Sequence, residues 1–358
     1  MKILSQIFVL FSLLLIVSCQ SNPNSEINKP LAIDKTNNIN VICSESAWNS
    51  YLGDTLRYYL ESPFPITPNP EPLFNLRHFT YEQIEAEQLR RQLRTYLILV
   101  DTKDTSSGTY KMFRKDIGKQ RFDKIETENI SIVYGKDKWA RKQLVIYLIG
   151  QGNDSLISNF VANFEKISKK VYENDRPQIY TATYFIGENK NSATEIFDTF
   201  GYNIKIPNDF NQALFSKDDA FAWYRRDSKK SIINFMTGKI KMKDYINNGS
   251  FDVVKLVNRL GSNVTASQPG SVLVANSKDA PILNFDDNIN NIPAKEYRGI
   301  WEMTKDFMGG PYILIVLDTP LNDDNIFFFG FLFGPGDDKK EYLQQLMEIA
   351  HTIDFSKK

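Results

Sequence analysis

The residues best suited to chemistry are few in this 358-residue sequence, and their spacing argues against the common catalytic sites. The chain has two cysteines, Cys19 and Cys43, and two histidines, His78 and His351, which are far apart in the sequence. A catalytic cysteine needs a histidine beside it, and a zinc site needs closely spaced ligands such as CxxC or HExxH. Neither pattern is present. Because Cys43 ends an alternating apolar run, we expect a buried, unreactive thiol and no metal site.

One glycine pair lies where a nucleotide-binding turn would lie. An apolar segment runs into Gly150-Gln151-Gly152 and an amphipathic helix pattern follows. This order would let a pyrophosphate approach a helix N-terminus. However, Ser155 occupies the place of the third glycine, and no strand ending in an acid follows about 20 residues later. The pattern is therefore typical of a tight strand-to-helix turn, and we expect no cofactor.

The densest group of candidate site residues begins at Arg298 and leads into an apolar segment that is predicted to be a buried strand. It contains Arg298, Trp301, Asp306, Gly309 and Gly310. As a binding surface, Arg298 and Asp306 would hold a polar ligand while Trp301 stacks on it. The structural alternative gives Asp306 hydrogen bonds to its own turn, and the glycine pair permits positive φ or close approach of another chain.

Three more residues are candidates for the same kind of surface. Trp139 and Arg141 lie together in the first half of the chain, and Glu71 follows a proline-rich run. A structural role for them remains the alternative. We interpret them, with the group after Arg298, as a candidate binding surface and assign no catalytic residue.

Paired carboxylates would be needed for glycoside cleavage, and the candidates are Glu302, Asp306 and Asp318. Such pairs work at separations of about 5–9 Å. An apolar strand lies between Asp306 and Asp318, so that pair reaches this separation only if the chain folds back. A hydrolase acting on envelope glycan or peptide, with Asp306 or Glu302 as acid and base, is therefore the alternative function.

The N-terminus has the pattern of a secretory signal. Lys2 precedes a mostly apolar run, Ile3–Val17, which is too short to span a membrane as a helix. It ends in Ile16-Val17-Ser18-Cys19, which resembles the bacterial lipobox, where the cysteine thiol receives a diacylglycerol before cleavage. We therefore expect a lipoprotein signal peptide at 1–18 and a mature chain anchored to the membrane through lipid on Cys19.

The residues after Cys19 indicate on which face of the membrane the protein lies and where its folded body starts. Residues 20–24 carry no charge, and the first acid is Glu26. Surface-exposed lipoproteins of Bacteroidetes resemble one another in having acids directly after the cysteine, so the periplasmic face of the outer membrane is the expected location. Residues 19–37 are polar and contain prolines, which predicts a flexible tether.

Charge excludes one class of partner. Of the 43 basic side chains, Lys2 lies in the signal peptide, so 42 remain against 43 acidic ones. This balance provides no electrostatic surface for nucleic acid. No later run of eighteen apolar residues predicts a spanning helix. We therefore expect the lipid to be the membrane attachment.

The hydrophobic pattern predicts an α+β fold with two subdomains, 38–175 and 200–355. In the first, strands are expected within 38–45, 73–81, 94–101, 129–135 and 142–150, with helices following 45, at 82–93 and at 154–172. Residues 173–200 are polar, and we place the boundary there. The sheets should be mixed or antiparallel, with helices packed on them.

The second half reads as three strands, a helix, three strands and a helix. The first strand candidates are 202–207, 220–226 and 231–238, the helix lies near 251–260, and a loop extends to about 295. Two strands after Gly310 are apolar on both faces and should be central, and a helix at 338–353 closes the chain. This β3-α-β3-α order resembles the α/β/α sandwich of the photosystem accessory protein and Ran-binding protein superfamily.

Five short patterns carry a second resemblance. EPxF at Glu71–Phe74, WAxxQ at Trp139–Gln143, RGxW at Arg298–Trp301, DFMGGP at Asp306–Pro311 and a closing YLxxLxxIxxT occur in this order. Together they resemble an uncharacterised family of Bacteroidetes envelope lipoproteins, a domain of unknown function. The resemblance covers the mature chain and implies no activity. With no catalytic constellation, we expect a non-enzymatic binding or assembly module for an envelope protein or polymer.

Overall fold

The computed structural model of this protein describes residues 29–319 and 324–356. The predicted signal peptide 1–18, the predicted lipidation site Cys19 and the first part of the tether lie outside the described residues. Within them, the chain forms an α+β fold with several mixed and antiparallel sheets, which confirms the predicted class.

Helices and strands occur along the whole described chain. The α-helices are α1 (Glu45–Trp48), α2 (Tyr51–Leu60), α3 (Tyr81–Ala86), α4 (Gly108–Ile117), α5 (Lys119–Thr127), α6 (Asn153–Thr183), α7 (Lys190–Phe200), α8 (Val253–Gly261) and α9 (Lys340–Ala350). The strands are β1 (Asn38–Ile42), β2 (Asn75–Phe79), β3 (Thr95–Asp101), β4 (Ile132–Lys136), β5 (Leu144–Gly150), β6 (Asn211–Ser216), β7 (Phe221–Asp227), β8 (Ile232–Lys241), β9 (Ile246–Asn247), β10 (Ser250–Phe251), β11 (Leu273–Asn276), β12 (Leu283–Ile289), β13 (Ile292–Met303), β14 (Gly309–Leu317) and β15 (Asp324–Phe333).

The chain divides into two compact units, and each has its own sheet. Unit 1 contains the residues up to Leu56 together with Leu76–Asn174, and unit 2 contains Arg57–Asn75 and Asp175–Lys358. The division after Asn174 falls within helix α6, which continues to Thr183.

Unit 1 is built on a five-stranded mixed sheet in the order β2-β1-β3-β5-β4. Strands β1, β3 and β5 run parallel, with Leu97 of β3 beside Val41 and Ile146, whereas β4 runs antiparallel to β5. Every residue of β5 and the first six of β3 are buried. Strands buried on both faces are the pattern of a parallel sheet covered by helices. Because the three central strands run in one direction, their carboxyl ends meet at one edge of the sheet.

The described part of the predicted tether is bound to unit 1. Leu31 forms an isolated parallel bridge with Arg141, and the backbone N–H of Ile33 donates to the carbonyl of Gln92 at 2.8 Å. Ala32 is buried. The prediction of a flexible segment is therefore wrong for residues 29–37, because a polar composition does not reveal backbone pairing with a distant turn.

Unit 2 is built on an antiparallel eight-stranded sheet in the order β11-β13-β14-β15-β8-β7-β6, with β12 also paired to β13. Helices α7 and α9 pack on one face, through side chains such as Phe200 and Leu346, and α8 packs on the other, through Leu256 and Leu260. Strands β14 and β15 are central and almost wholly buried, as their sequences predict. The layers are those of an α/β/α sandwich.

Two strand predictions in this unit are wrong. Residues 202–207 form no ladder strand and make only isolated bridges, such as Asn203 with Asp354. The first strand is instead β6, an edge strand with mostly exposed residues. The alternating side chains of this segment are buried, as the pattern predicts, at Tyr202, Ile204 and Ile206. However, burial alone does not require strand pairing. Strands β11 and β12 lie in the predicted loop, because edge strands are paired on one side and lack an apolar pattern.

The predicted boundary segment 173–200 is mostly helical. Helix α6 continues past Pro177 to Thr183, and α7 begins at Lys190. Tertiary contacts outweigh the polar composition here, because Tyr184 is buried in the core of unit 2 and Arg176 forms an ion pair with Glu348 at 2.7 Å.

The proline-rich segment 57–75 belongs to unit 2, although the sequence placed it in the first subdomain. Phe64 and Leu73 pack on the core beneath α9. The assignment needs long-range contacts that local sequence patterns do not contain.

Candidate functional site

The turn Thr304–Met308, which we call the hairpin tip, joins β13 to β14. Two of its residues bind the neighbouring loop 267–271. Asp306 accepts a hydrogen bond from the Ser267 hydroxyl, and Lys305 Nζ donates to the Pro269 carbonyl at 2.8 Å. Hydrogen bonds from Ser267, and further ones from the same loop, hold the pKa of Asp306 below its ordinary value. Asp306 thus has a structural role, but its bonds go to the neighbouring loop and not, as the structural alternative had it, to its own turn.

Phe307 follows these two anchors and is fully exposed. Its neighbour Met308 instead packs against the core of unit 2. The tip therefore presents one large apolar ring to solvent from a backbone that is held on both sides. Phe307 belongs to the DFMGGP pattern but is not among the predicted site residues, because exposure cannot be deduced from residue type.

Arg298 is not a free ligand-binding group. It forms an ion pair with Glu296, and both side chains are nearly buried, at 12% and 5% exposure. Its guanidinium lies 5.2 Å from the ring centre of Phe64 and 5.0 Å from that of Phe285. Arg298 therefore connects the proline-rich segment to the sheet through charge and cation–π contacts.

Trp301 is buried and cannot stack on a ligand, so this part of the predicted surface is wrong. Its indole N–H donates to the Leu332 carbonyl at 3.2 Å, and its ring meets that of Phe331 edge to face. A Cβ at Gly310 would lie 2.0 Å from the same carbonyl oxygen. Gly309 pairs with Glu302 at the start of β14. The glycine at 310 is required by the close approach of strand β15.

Glu71 caps helix α9 instead of binding a ligand. One carboxylate oxygen accepts from the backbone N–H of Lys339 at 2.7 Å and the other from that of Lys340 at 2.9 Å. The carboxylate is buried, and it satisfies two of the N–H groups that a helix start leaves unpaired. A negative charge is also stabilised at this end of the helix dipole.

Trp139 and Arg141 lie in unit 1, where both hold neighbouring segments. The Trp139 ring meets Tyr96 edge to face at 5.2 Å, and Arg141 Nε donates to the Lys29 carbonyl at 3.1 Å. Gln143 of the same pattern is buried and donates to the carbonyls of Arg91 and Leu93. The WAxxQ pattern therefore encodes structural contacts.

The three candidate acid and base residues do not form a catalytic arrangement. Asp306 is held by the loop contacts described above, and Glu302 accepts from Asn276 at 3.1 Å. Asp318 accepts from Asn325 at 3.1 Å. A general acid needs a raised pKa, whereas that of Asp306 is lowered. These contacts give the hydrolase alternative no support.

Histidine and cysteine contacts are also structural. His78 Nε2 lies 3.1 Å from the backbone carbonyl of Cys43, whose thiol is buried. His351 Nε2 lies 3.0 Å from Asp287 Oδ2. Burial alone would raise the pKa of Asp287, but the bond and charge of His351 hold it below its ordinary value. Among the described residues, no group of three or more His, Cys, Asp or Glu side chains could hold a metal ion.

A cavity of about 660 Å³ lies where β3 and β5 of unit 1 end. We call it the edge crevice. Its walls come from the residues after β3, from α5 and the turn after it, and from the start of α6. Its polar lining includes Lys103, Glu126, Asn129, Gln151 and Ser155. The crevices beyond the carboxyl ends of parallel strands are common ligand sites in α/β proteins.

The glycine turn beside the edge crevice is a structural turn, as the sequence predicts. Gly152 has φ +86°, and a Cβ at Gly150 would lie 2.7 Å from the backbone nitrogen of Leu156. The N–H of Gly152, which a bound phosphate would need, donates to the Asp101 carboxylate at 2.8 Å. The turn is therefore already closed by a protein anion.

A second cavity of about 450 Å³ lies in unit 2 beside α7. Its charged groups bind each other, since Lys205 Nζ lies 3.2 Å from Glu188 and donates to the Tyr180 hydroxyl at 2.7 Å. The hydrogen bond with Tyr180 is the largest contribution to the raised pKa of Lys205. These groups have protein partners, unlike much of the polar lining of the edge crevice.

Fold and site together define a two-unit α+β protein. Residues 188–352 match the family model of a domain of unknown function, DUF4837, and residues 32–182 match that of another, DUF8532. Each model covers less than half of the chain, and together they span most of the described residues. No curated protein matches this sequence.

Two solved structures show weak likeness to parts of the chain. The Ran-binding protein Mog1p of Saccharomyces cerevisiae is 10% identical, with a TM-score of 0.27, over 43% of this chain and 90% of that chain. A protein of Bacteroides thetaiotaomicron is 13% identical, with a TM-score of 0.18, over 44% of this chain and 46% of its own. TM-scores this low support no inference about this protein.

Within residues 29–319 and 324–356, no helix has the length and apolar character needed to cross a bilayer.

Proposed function

We propose that this protein is an envelope lipoprotein that binds a partner protein through the hairpin tip. The lipid on Cys19 would attach it to the membrane, at the periplasmic face of the outer membrane, and the folded body would be a non-enzymatic binding module. The support for the anchor is the sequence pattern that ends at Cys19. The support for the binding surface is the geometry of the tip.

The observation that carries the binding proposal is the combination of full exposure and restraint at Phe307. Burying such a ring against a partner contributes about 1.5–3 kcal/mol. Because Lys305 and Asp306 already attach the backbone to the loop 267–271, little conformational entropy is lost when the ring binds. Exposed aromatic residues on restrained backbones are typical of the central residues of protein interfaces.

The surrounding charges favour a protein over an anionic surface. Lys305 is bonded to a backbone carbonyl, and Asp306 and Glu302 lie in the same hairpin. No basic cluster accompanies Phe307 among the described residues of the tip, whereas binding to anionic lipid or polymer uses several basic residues. A partner with an apolar pocket therefore fits the tip best.

Site-specific photo-crosslinking in intact cells tests this proposal. A benzophenone amino acid in place of Phe307 should give an adduct with one envelope protein, and the same amino acid in place of Phe185 should not. Phe185 is a suitable control because it is also exposed, at 84%, and lies in the same unit in the turn between α6 and α7. Phe307→Ala should reduce recovery of that protein in a pull-down at least tenfold.

The anchor is tested separately. Radioactive palmitate should label the wild-type chain and should not label Cys19→Ser. An unlabelled wild-type chain would contradict the proposed lipid anchor. It would not affect the proposal for the hairpin tip, which the crosslinking experiment tests by itself. Equal adducts from positions 307 and 185, or adducts with glycan only, would contradict the proposed protein partner.

A further inference from the structure

The edge crevice of unit 1 has the position and size of a small-molecule site. It lies beyond the carboxyl ends of two neighbouring parallel strands, and its volume of about 660 Å³ is within the usual range for ligand pockets. The glycine spacing of the turn bears on nucleotide binding alone. The crevice also needs α5 and the turn after it, which are distant in sequence from Gly150.

Much of the polar lining has no partner within the protein. Among the residues that the structure describes, the side chains of Asn129, Gln151 and Ser155 make no hydrogen bond, and the Glu126 carboxylate forms no ion pair. Asn159 is different, because its amide donates to the Ile149 carbonyl at 2.7 Å and holds the wall of the crevice. The unpaired side chains therefore provide both donors and acceptors that a ligand can use.

Part of the crevice lining is apolar, and we call this part its apolar floor. Phe122, Ile125 and Ile149 line the crevice, and most of each side chain is buried in the core of the unit. The lining therefore combines amides and a hydroxyl with apolar carbon. A ligand that carries hydroxyl groups around a ring of C–H groups matches both parts.

Charge argues against an anionic ligand. Two acids, Glu126 and Asp154, face the crevice with one base, Lys103. The backbone N–H of Gly152 is already bonded to the Asp101 carboxylate. A phosphate would meet two negative groups and would find this turn donor occupied, so the lining fits a neutral ligand with many hydroxyl groups.

We propose that the edge crevice binds a neutral saccharide of one or two rings. Gln151 and Asn129 would bond its hydroxyls through their amides, Glu126 would accept from a hydroxyl, and the apolar floor would contact its C–H face. This site is formed by other residues than the hairpin tip, and the proposal does not rest on the partner protein proposed for the tip.

The test uses the full chain in lauryldimethylamine oxide, a detergent without a sugar headgroup. Saturation-transfer NMR with glucose, galactose, mannose, N-acetylglucosamine and maltose should show at least one binding sugar, and calorimetric titration should give its affinity. Inorganic phosphate is the anionic probe and should not compete with that sugar.

Three variants assign the binding to the crevice. Gln151→Ala combined with Glu126→Ala should weaken affinity at least tenfold, and Ser155→Phe should block the cavity and abolish binding. Gln120→Ala is the matched control, because Gln120 is exposed on α5 and does not line the crevice. It should leave affinity unchanged.

Several results would overturn the proposal. They are the absence of a signal for every sugar in the panel, binding that survives both crevice variants, and displacement of the bound sugar by phosphate. Circular dichroism of each variant verifies that loss of binding does not reflect unfolding.

Discussion

The polar residues discussed above have different roles in the two units. In unit 2, Glu71 and Arg298 are buried and bonded to protein groups, and they hold a helix start and a proline-rich segment in place. In unit 1, Gln151 and Asn129 line an open crevice and make no side-chain bond among the described residues. Distinctive sequence patterns therefore mark structural contacts in unit 2 and, at Trp139–Gln143, also in unit 1. Ordinary-looking polar residues line the open crevice of unit 1.

Sheet geometry accounts for this difference. An antiparallel sheet with helices on both faces needs side chains that attach irregular segments to its edges, and unit 2 uses charged and aromatic residues for this purpose. In a parallel sheet the carboxyl ends of the strands meet at one edge, and the following helices diverge from it. The crevice in unit 1 follows from that arrangement.

The largest effect should come from Arg298→Ala. Removing one partner of a buried ion pair leaves the other charge uncompensated, here Glu296, and typically costs about 3–5 kcal/mol. The variant also loses cation–π contacts with Phe64 and Phe285. Urea unfolding followed by circular dichroism should show a lower midpoint for unit 2.

Two further variants sharpen this test. Arg298→Met combined with Glu296→Leu removes both charges and should recover much of the lost stability. Lys295→Ala removes an exposed ion pair on the same strand and should leave the midpoint unchanged. A wild-type midpoint for Arg298→Ala would show that Arg298 is available for a ligand after all.

A smaller loss is expected for Glu71→Gln. The substitution keeps one oxygen acceptor but directs an amide N–H₂ at a backbone N–H of Lys339 or Lys340. A buried donor without a partner costs about 1–3 kcal/mol. Glu341→Gln is the control, because Glu341 is exposed in the first turn of α9. Equal losses in the two variants would indicate a general helix-dipole effect in place of a specific cap.

Much of the fold could be predicted from apolar patterns. Strands β3, β5, β14 and β15 are buried on both faces, so long apolar runs identified them. Strand β12 could not be identified in this way, because it is an exposed edge strand with the sequence LNFDDNI. The continuation of α6 past Pro177 also depends on contacts within unit 2 that no local pattern records.

The candidate surface shows a different limit. Residue type suggested that Trp301 and Arg298 would bind a ligand, but type does not determine exposure. Trp301 faces the core because β13 alternates its side chains between two covered faces. Phe307 is exposed because it lies in the turn after that strand. Their positions relative to the sheet, and not their chemistry, decide which residue is accessible.

The smallest effect, and the one that best separates the two units, is expected for Gln151→Ala. Gln151 is exposed and its side chain makes no hydrogen bond among the described residues, so the free energy of unfolding should stay within about 0.5 kcal/mol of wild type. Asn159→Ala, in the same crevice, should cost about 1–3 kcal/mol because the Ile149 carbonyl loses its donor. If Gln151→Ala were as destabilising as Asn159→Ala, the polar lining of the crevice would be structural, and the contrast between the units would disappear.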